Sequence, residues 1–150
     1  MDENTYCGES NLLDIVLDSI KKISGYLEKE CIKELDVEDI SRELKLLEPT
    51  LTIVLSKWVP EILYLPYLKE RMSFNDIKRA LNVSSRVLSD KLKTLEKEGI
   101  IERTVTDENP PRVHYALTEI GGTFALALVP FLTIVKAKQR SSELPVTNHM

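Results

Sequence analysis

The chain has 150 residues, 43% of them hydrophobic and 29% charged, which is enough to bury a core and too apolar for a disordered chain. Two histidines, two cysteines and five scattered glycines supply no nucleophile with its base, no metal-ligand spacing and no phosphate-cradling loop, so no catalysis, metal or cofactor is expected. The net charge of −4 is unevenly divided: residues 1–50 hold 13 acidic and 6 basic groups, whereas residues 69–115 hold 8 acidic and 10 basic. A polyanion-binding face would therefore lie in the second half of the chain.

From Ser10 to about Leu35, Leu12, Leu13, Val16, Leu17, Ile20, Ile23, Leu27 and Cys31 recur at steps of three and four, the stripe of an amphipathic helix. Asp36 is a plausible N-cap for a second helix, with Asp39 in the capping-box position and a stripe of Val37, Ile40, Leu44 and Leu47. Residues 1–48 thus read as an acidic helical extension. Pro49 is expected to open a new helix carrying Leu51, Val54, Leu55, Trp58, Ile62, Leu63 and Leu65, the central core helix, which Pro60 kinks or divides. Trp58 is read as a core anchor.

Ser73 then caps a short helix, "FNDIKRAL", with Asp76 in its first turn and Phe74, Ile77 and Leu81 turned inward. In "NVSS", Asn82 suits a left-handed turn, and Ser84 or Ser85 caps the helix "RVLSDKLKTLEKEG", closed by Gly99. Leu88, Leu92 and Leu95 share its buried side, and Arg86, Ser89, Asp90, Lys93 and Lys97 its free side. Two short helices across a tight turn, the second polar and basic on its free face, form a helix-turn-helix.

"IIERTVT" reads as a strand, "DENPP" must end it, and "RVHYALT" alternates with Val113, Tyr115 and Leu117 on one face. His114 is expected to point outward. This hairpin, residues 101–117, is a wing. Thr118 starts a last helix whose apolar residues exceed what one small domain needs, so a dimer seam is expected there. The fold class is therefore mainly α with a small β-hairpin wing, a winged helix-turn-helix, with a core at 49–118, a dimerisation helix at 119–138 and a frayed tail at 139–150. Cys7 falls near the terminus and Cys31 on the apolar stripe, where packing is its simplest role.

The apolar runs are interrupted by Lys57 and Glu61 or, like "TFALALVPFLTIV", fall short of the roughly 18–20 residues a bilayer span needs. The acidic N-terminus has no signal-peptide character. A cytoplasmic protein without a membrane partner is expected.

"SKWVPEIL", "SFNDIKRAL", "VSSRVLSDKLKTLEKEGIIERTV" and "PPRVHYALTEIG" together resemble the HxlR-type winged-helix transcriptional regulators, which are related to MarR proteins. The resemblance spans about residues 50–135. It implies a homodimer on double-stranded DNA at a pseudo-palindromic operator, with terminal helices forming the dimer interface; here these would supply Leu13, Val16, Leu17 and Ile20 from the first helix and Phe124, Leu128, Phe131 and Leu132 from the last. The sensor cysteine of oxidant-responsive members would fall at Lys45, so that function is not expected, and no small-molecule effector is specified. Leu55-Ser56 stands where the family usually has a glycine pair.

In such a helix-turn-helix the recognition helix, residues 85–98, enters the major groove and the wing flanks it on the backbone or in the minor groove. Ser84 and Ser85 at the helix start, with Arg86, Ser89 and Asp90, are the candidates for base contact; Arg86 suits guanine and Asp90 a cytosine amino group. Lys93, Lys78 and Arg79 are candidate phosphate contacts, and Arg103 and Arg112 could reach phosphates or a narrow minor groove. Asp107 and Glu108 make the wing tip a poor phosphate binder. The alternative is a winged helix of the transcription machinery used for protein contact without specific DNA binding.

Overall fold

The fold is described from a computed structural model, which describes residues 9–30 and 36–140. Cys7, Cys31, the expected end of the first helix near Leu35 and residues 141–150 of the expected tail lie outside the described residues. Six helices and three strands follow in the order α1 (Glu9–Glu30), α2 (Val37–Val54), α3 (Val59–Lys69), β1 (Arg71–Ser73), α4 (Phe74–Leu81), α5 (Ser85–Lys97), β2 (Ile101–Val105), β3 (Val113–Leu117) and α6 (Glu119–Gln139). The chain divides into two compact units, one spanning residues 41–128 and the other drawn from residues 1–40 and 129–150.

The 41–128 unit is built around α3, α5 and a small sheet. Val59, Ile62 and Leu63 of α3, Ile77 of α4, and Leu88, Leu92 and Leu95 of α5 are essentially inaccessible, as are Ile101 and Pro66. No polar or charged residue is fully buried among the described residues, so this core carries no desolvated charge to compensate. Burying one leucine or isoleucine side chain contributes about 1.5–3 kcal/mol, which makes this cluster the main source of the unit's stability.

The helix boundaries differ from the sequence expectation around the two early prolines. Pro49 does not open a helix: α2 runs through it to Val54. Proline's fixed φ is compatible with helix, and what is lost is one backbone bond and clearance at the carbonyl four residues back. The break falls instead at Leu55–Trp58. A helix continuous through Pro60 would drive its ring against the Ser56 carbonyl; in the structure that carbonyl accepts from the Val59 N–H at 3.0 Å. Trp58 turns the chain with a φ of 75°, and Pro60 lies in the first turn of α3, where no N–H is needed. Consequently Leu51 and Leu55, expected in the core, are exposed, and Trp58 is only half-buried. Val59, in contrast, is a core residue.

Asp36 caps α2 as expected, its carboxylate accepting from the Asp39 N–H at 2.8 Å. The three-residue β1 was not foreseen. It pairs with β3, antiparallel, Ser73 opposite His114, and β2 pairs with the other edge of β3, Thr104 opposite His114, giving the order β1-β3-β2. With β3 central, His114 is half-buried rather than outward, and its Nδ1 is buried without a hydrogen-bond partner.

Thr118 caps α6, its hydroxyl accepting from the Gly121 N–H at 3.2 Å and donating to the Gly99 carbonyl at 2.6 Å. The Ile100 carbonyl in turn accepts from the Thr118 N–H at 3.1 Å. A side chain at Gly121 would overlap the Ile100 carbonyl oxygen; only glycine allows the last helix to start this close to β2. By length and composition alone the 21-residue α6 could cross a membrane, more than its 13-residue apolar run had suggested. Its early turns are committed to the protein interior, with Gly121, Ala125 and Leu128 buried.

Candidate nucleic-acid interface

Short-range signals build the two helices of the motif. The Ser73 hydroxyl accepts from the Asp76 N–H at 3.2 Å and donates to Asp76 Oδ2 at 2.7 Å, which satisfies an orphan donor of the first turn of α4. That hydroxyl holds the Asp76 carboxyl below its ordinary value against desolvation, with smaller help from Arg79, the Ser73 backbone and His114. Asn82 ends α4 at a φ of 52°, its N–H returning to the Lys78 carbonyl. Ser84, extended, then caps α5 by accepting from the Val87 N–H at 3.3 Å. The turn is only Asn82–Ser84 long.

At the far end of α5, the Gly99 N–H donates to the Glu96 carbonyl at 3.0 Å and the Ile100 N–H to the Leu95 carbonyl at 2.9 Å. Gly99 has a φ of 69°. This is a Schellman closure, which needs a residue free to adopt the left-handed region. Between its caps α5 is anchored by Leu88, Leu92 and Leu95, as expected.

The opposite face of α5 is open. Ser85, Arg86, Asp90 and Lys93 are exposed and Ser89 half-buried; Arg86 and Lys93 form no ion pair among the described residues. Ser84 is exposed but its oxygen is occupied as the cap. On α4, Arg79 is exposed and donates to Asp76 Oδ1 at 2.7 Å, while Lys78 is half-buried.

In the wing, the Thr106 N–H donates to the Arg112 carbonyl at 2.8 Å and the Arg112 N–H to the Thr106 hydroxyl at 3.1 Å, which closes the hairpin around 107–111. Arg112 Nε lies 3.3 Å from a Glu108 carboxylate oxygen, whereas Arg103 on β2 is exposed. Two of the expected phosphate contacts, Arg79 and Arg112, are thus paired with carboxylates in exposed positions. Such pairs are worth only about 0–1 kcal/mol. Sequence reading identified these cations but missed their partners; the i,i+3 and i,i+4 spacings of Asp76–Arg79 and Glu108–Arg112 were the available signal.

The residues expected at a dimer interface fall into two groups. Leu13, Val16 and Leu128 are already buried, and Leu17, Phe124 and Leu132 are half-buried, whereas Ile20 and Phe131 are exposed. On α1, Ile23 and Leu27 prolong the stripe of Ile20 in the exposed state, and on α6 Ile120, Phe131 and Val135 are exposed. The stripe of α2, Val37, Ile40, Leu44, Leu47 and Leu51, is exposed along its whole length. The sequence showed the stripe from Val37 to Leu47, with Leu51 assigned to the following helix, but not that these side chains are exposed among the described residues.

Known proteins repeat this arrangement. The uncharacterised HTH-type transcriptional regulator YvaP of Bacillus subtilis is 40% identical over 79 residues, 52% of this chain and 72% of YvaP. The structure of YtfH from Salmonella typhimurium, described as a transcriptional regulator, superposes with a TM-score of 0.56 at 26% identity, covering 62% of this chain and 83% of YtfH. A regulator of the MarR family from Enterococcus faecalis V583 gives a TM-score of 0.54 at 26% identity, over 74% of this chain and 99% of its own. Residues 53–144, more than half of the chain and the whole helix-turn-helix and wing, match the HxlR-like helix-turn-helix family; the chain belongs to that family of transcriptional regulators and is not an enzyme.

Proposed function

We propose that the chain acts as a homodimer that binds a pseudo-palindromic operator in double-stranded DNA, with α5 in the major groove and the β2–β3 wing on the flanking backbone or minor groove. The observation that carries this reading is α5 itself. It is capped at both ends, held from behind by three fully buried leucines, and open in front, where Arg86, Ser89, Asp90 and Lys93 lie on its free side.

Near the N-terminus of α5, Ser85, Arg86, Ser89 and Asp90 read base edges: the Arg86 guanidinium suits the O6 and N7 of guanine, and the Asp90 carboxylate a cytosine amino group. Lys93, Lys78 and Arg79 neutralise phosphates and set the register without specifying sequence. Ser84 contributes by fixing the first turn. At the wing, Arg103 is available for the backbone, and Arg112 becomes so by exchanging Glu108 for a phosphate.

Dimerisation covers the exposed apolar residues of the terminal helices, Ile20, Ile23 and Leu27 on α1 and Phe131 and Val135 on α6; the α2 stripe offers further self-complementary surface. A two-fold dimer presents two copies of α5 to half-sites one helical turn apart. A cytoplasmic location follows from this role.

The test compares two variants on a cognate and a random duplex by fluorescence anisotropy. Arg86→Ala should cost about 1–3 kcal/mol on the cognate site and little on random DNA, whereas Lys93→Ala should weaken both and lower the salt slope by about one. Equal losses on both duplexes from Arg86→Ala would remove its reading role. Intact protein contacts with no DNA binding by the wild type would favour the protein-docking alternative.

A further inference from the structure

Within the 41–128 unit, a polar link that the DNA-binding reading leaves unused joins the recognition helix to the end of α2. Lys91, on the flank of α5, donates from Nζ to the Ser56 hydroxyl at 3.0 Å, and that hydroxyl donates to the Ile53 carbonyl at 2.9 Å. The Ser56 N–H also returns to the Ile53 carbonyl, at 3.2 Å. Lys91 is half-buried, and no carboxylate among the described residues pairs with it.

The hydrogen-bond partner of the Lys91 ammonium is a neutral hydroxyl, which by itself supplies little stabilisation for a charge. The C-terminal end of α2 adds to it. The last carbonyls of a helix carry partial negative charge; that of Ile53 accepts from the Ser56 N–H and hydroxyl, and Ser56 relays the Lys91 charge to it as a polarised pair of hydrogen bonds. The link also sits where the chain turns from α2 into α3 through the left-handed Trp58, so it clamps α5 onto that turn.

Helical geometry gives the clamp a consequence. Lys91 lies five residues from Arg86, roughly 140° around the α5 axis, on the border between the buried leucine stripe and solvent. The apolar contacts of Leu88, Leu92 and Leu95 hold α5 in place but are not directional, whereas a hydrogen bond at one flank fixes rotation about the axis. We propose that Ser56 and Lys91 are positioning residues that set the rotation of the recognition helix, and hence the aim of Arg86 and Ser89 at the bases, without touching DNA themselves. This rests on the DNA-binding reading.

The test uses the full chain with Ser56→Ala, which keeps the Lys91 charge, Lys91→Met, which keeps most of its stem, the double variant, and Ser56→Thr, which keeps the hydroxyl. Each is titrated onto cognate and random duplexes at two salt concentrations, with urea unfolding alongside. The fluorescence of Trp58, the single tryptophan, is read in the same titrations. Ser56→Ala should raise the cognate Kd about five- to tenfold, the upper range of one net intramolecular hydrogen bond, with random-duplex affinity and salt slope unchanged. Ser56→Thr should restore the ratio of cognate to random affinity, the double variant should bind no worse than Lys91→Met, and the Trp58 signal change on cognate binding should be lost in Ser56→Ala. The proposal is overturned if Ser56→Ala shifts only the urea midpoint and leaves that ratio intact. It is equally overturned if Lys91→Met weakens both duplexes alike and lowers the salt slope by about one, which would make Lys91 a phosphate contact. A wild type that cannot discriminate between duplexes removes the DNA-binding reading, visible before any variant is compared, and the relay with it.

Discussion

The α4–α5 motif, and by contrast the α2 stripe with the later turns of α1 and α6, are built from apolar spacings that end in opposite states. In the motif the leucines of α5 are completely buried and both ends of the helix are capped; on α2 a stripe of equal regularity is exposed, with Leu44 58% accessible, and on α6 Phe131 is likewise 58% accessible. The first pattern describes a surface whose partner is in the same chain. The second leaves apolar side chains exposed among the described residues, and exposed apolar faces of this extent mark interaction surfaces.

Core and stripe should therefore respond differently to the same substitution. Leu88→Ala removes a fully buried side chain and should cost about 2–5 kcal/mol in urea unfolding, whereas Leu44→Ala should stay within about 0.5 kcal/mol in the monomer and act instead on self-association. A Leu44→Ala loss as large as that of Leu88→Ala, in a protein kept monomeric by dilution, would erase the distinction. Phe131→Glu sharpens it further: sedimentation should show a shift from dimer toward monomer with the helix-turn-helix unit still folded, and an unchanged mass distribution would take α6 out of the interface. Smaller than the loss at Leu88 is that of the cap. Ser84→Ala should cost about 1 kcal/mol of stability and weaken cognate DNA binding through the first turn of α5, which circular dichroism melting and anisotropy together would resolve.

The smallest effect concerns Asp76. Its carboxyl is held below the ordinary value, chiefly by the Ser73 hydroxyl, so the stabilisation it provides is fully present above the unfolded-state value and is lost as pH falls through the folded one. The stability difference between wild type and Asp76→Asn should be constant between neutral pH and about pH 5 and close below about pH 4. A gap independent of pH down to the acid transition would assign the effect to packing rather than to the charge.

The sequence made the motif legible because its determinants are local: Ser73 and Asp76, Asn82, Ser84 and Gly99 each act within a few residues, and the leucine spacing of α5 points one way only. It failed where the outcome depends on something distant or on competition between two breakers. Pro49 and Pro60 carry the same signal, and which of them ends a helix is decided by the Ser56 carbonyl and the left-handed Trp58. The position of His114 turned on β1, three residues from another part of the chain, whose pairing makes β3 a central strand. In the site, the cations were readable from their spacing, but the carboxylates that hold Arg79 and Arg112 and the hydroxyl that holds Lys91 emerge only from the fold. Periodicity likewise located the stripes of α1, α2 and α6 without telling which parts the chain covers itself.

The proposed function turns on the outward face of α5 binding duplex DNA. Its most direct test is fluorescence anisotropy of a labelled duplex from the region upstream of the gene, titrated at two salt concentrations with wild type and with the Arg86→Glu, Lys93→Glu double variant. The wild type should bind tightly and with strong salt sensitivity and the folded double variant should not; equal binding by the two proteins would contradict a DNA-binding role for this face.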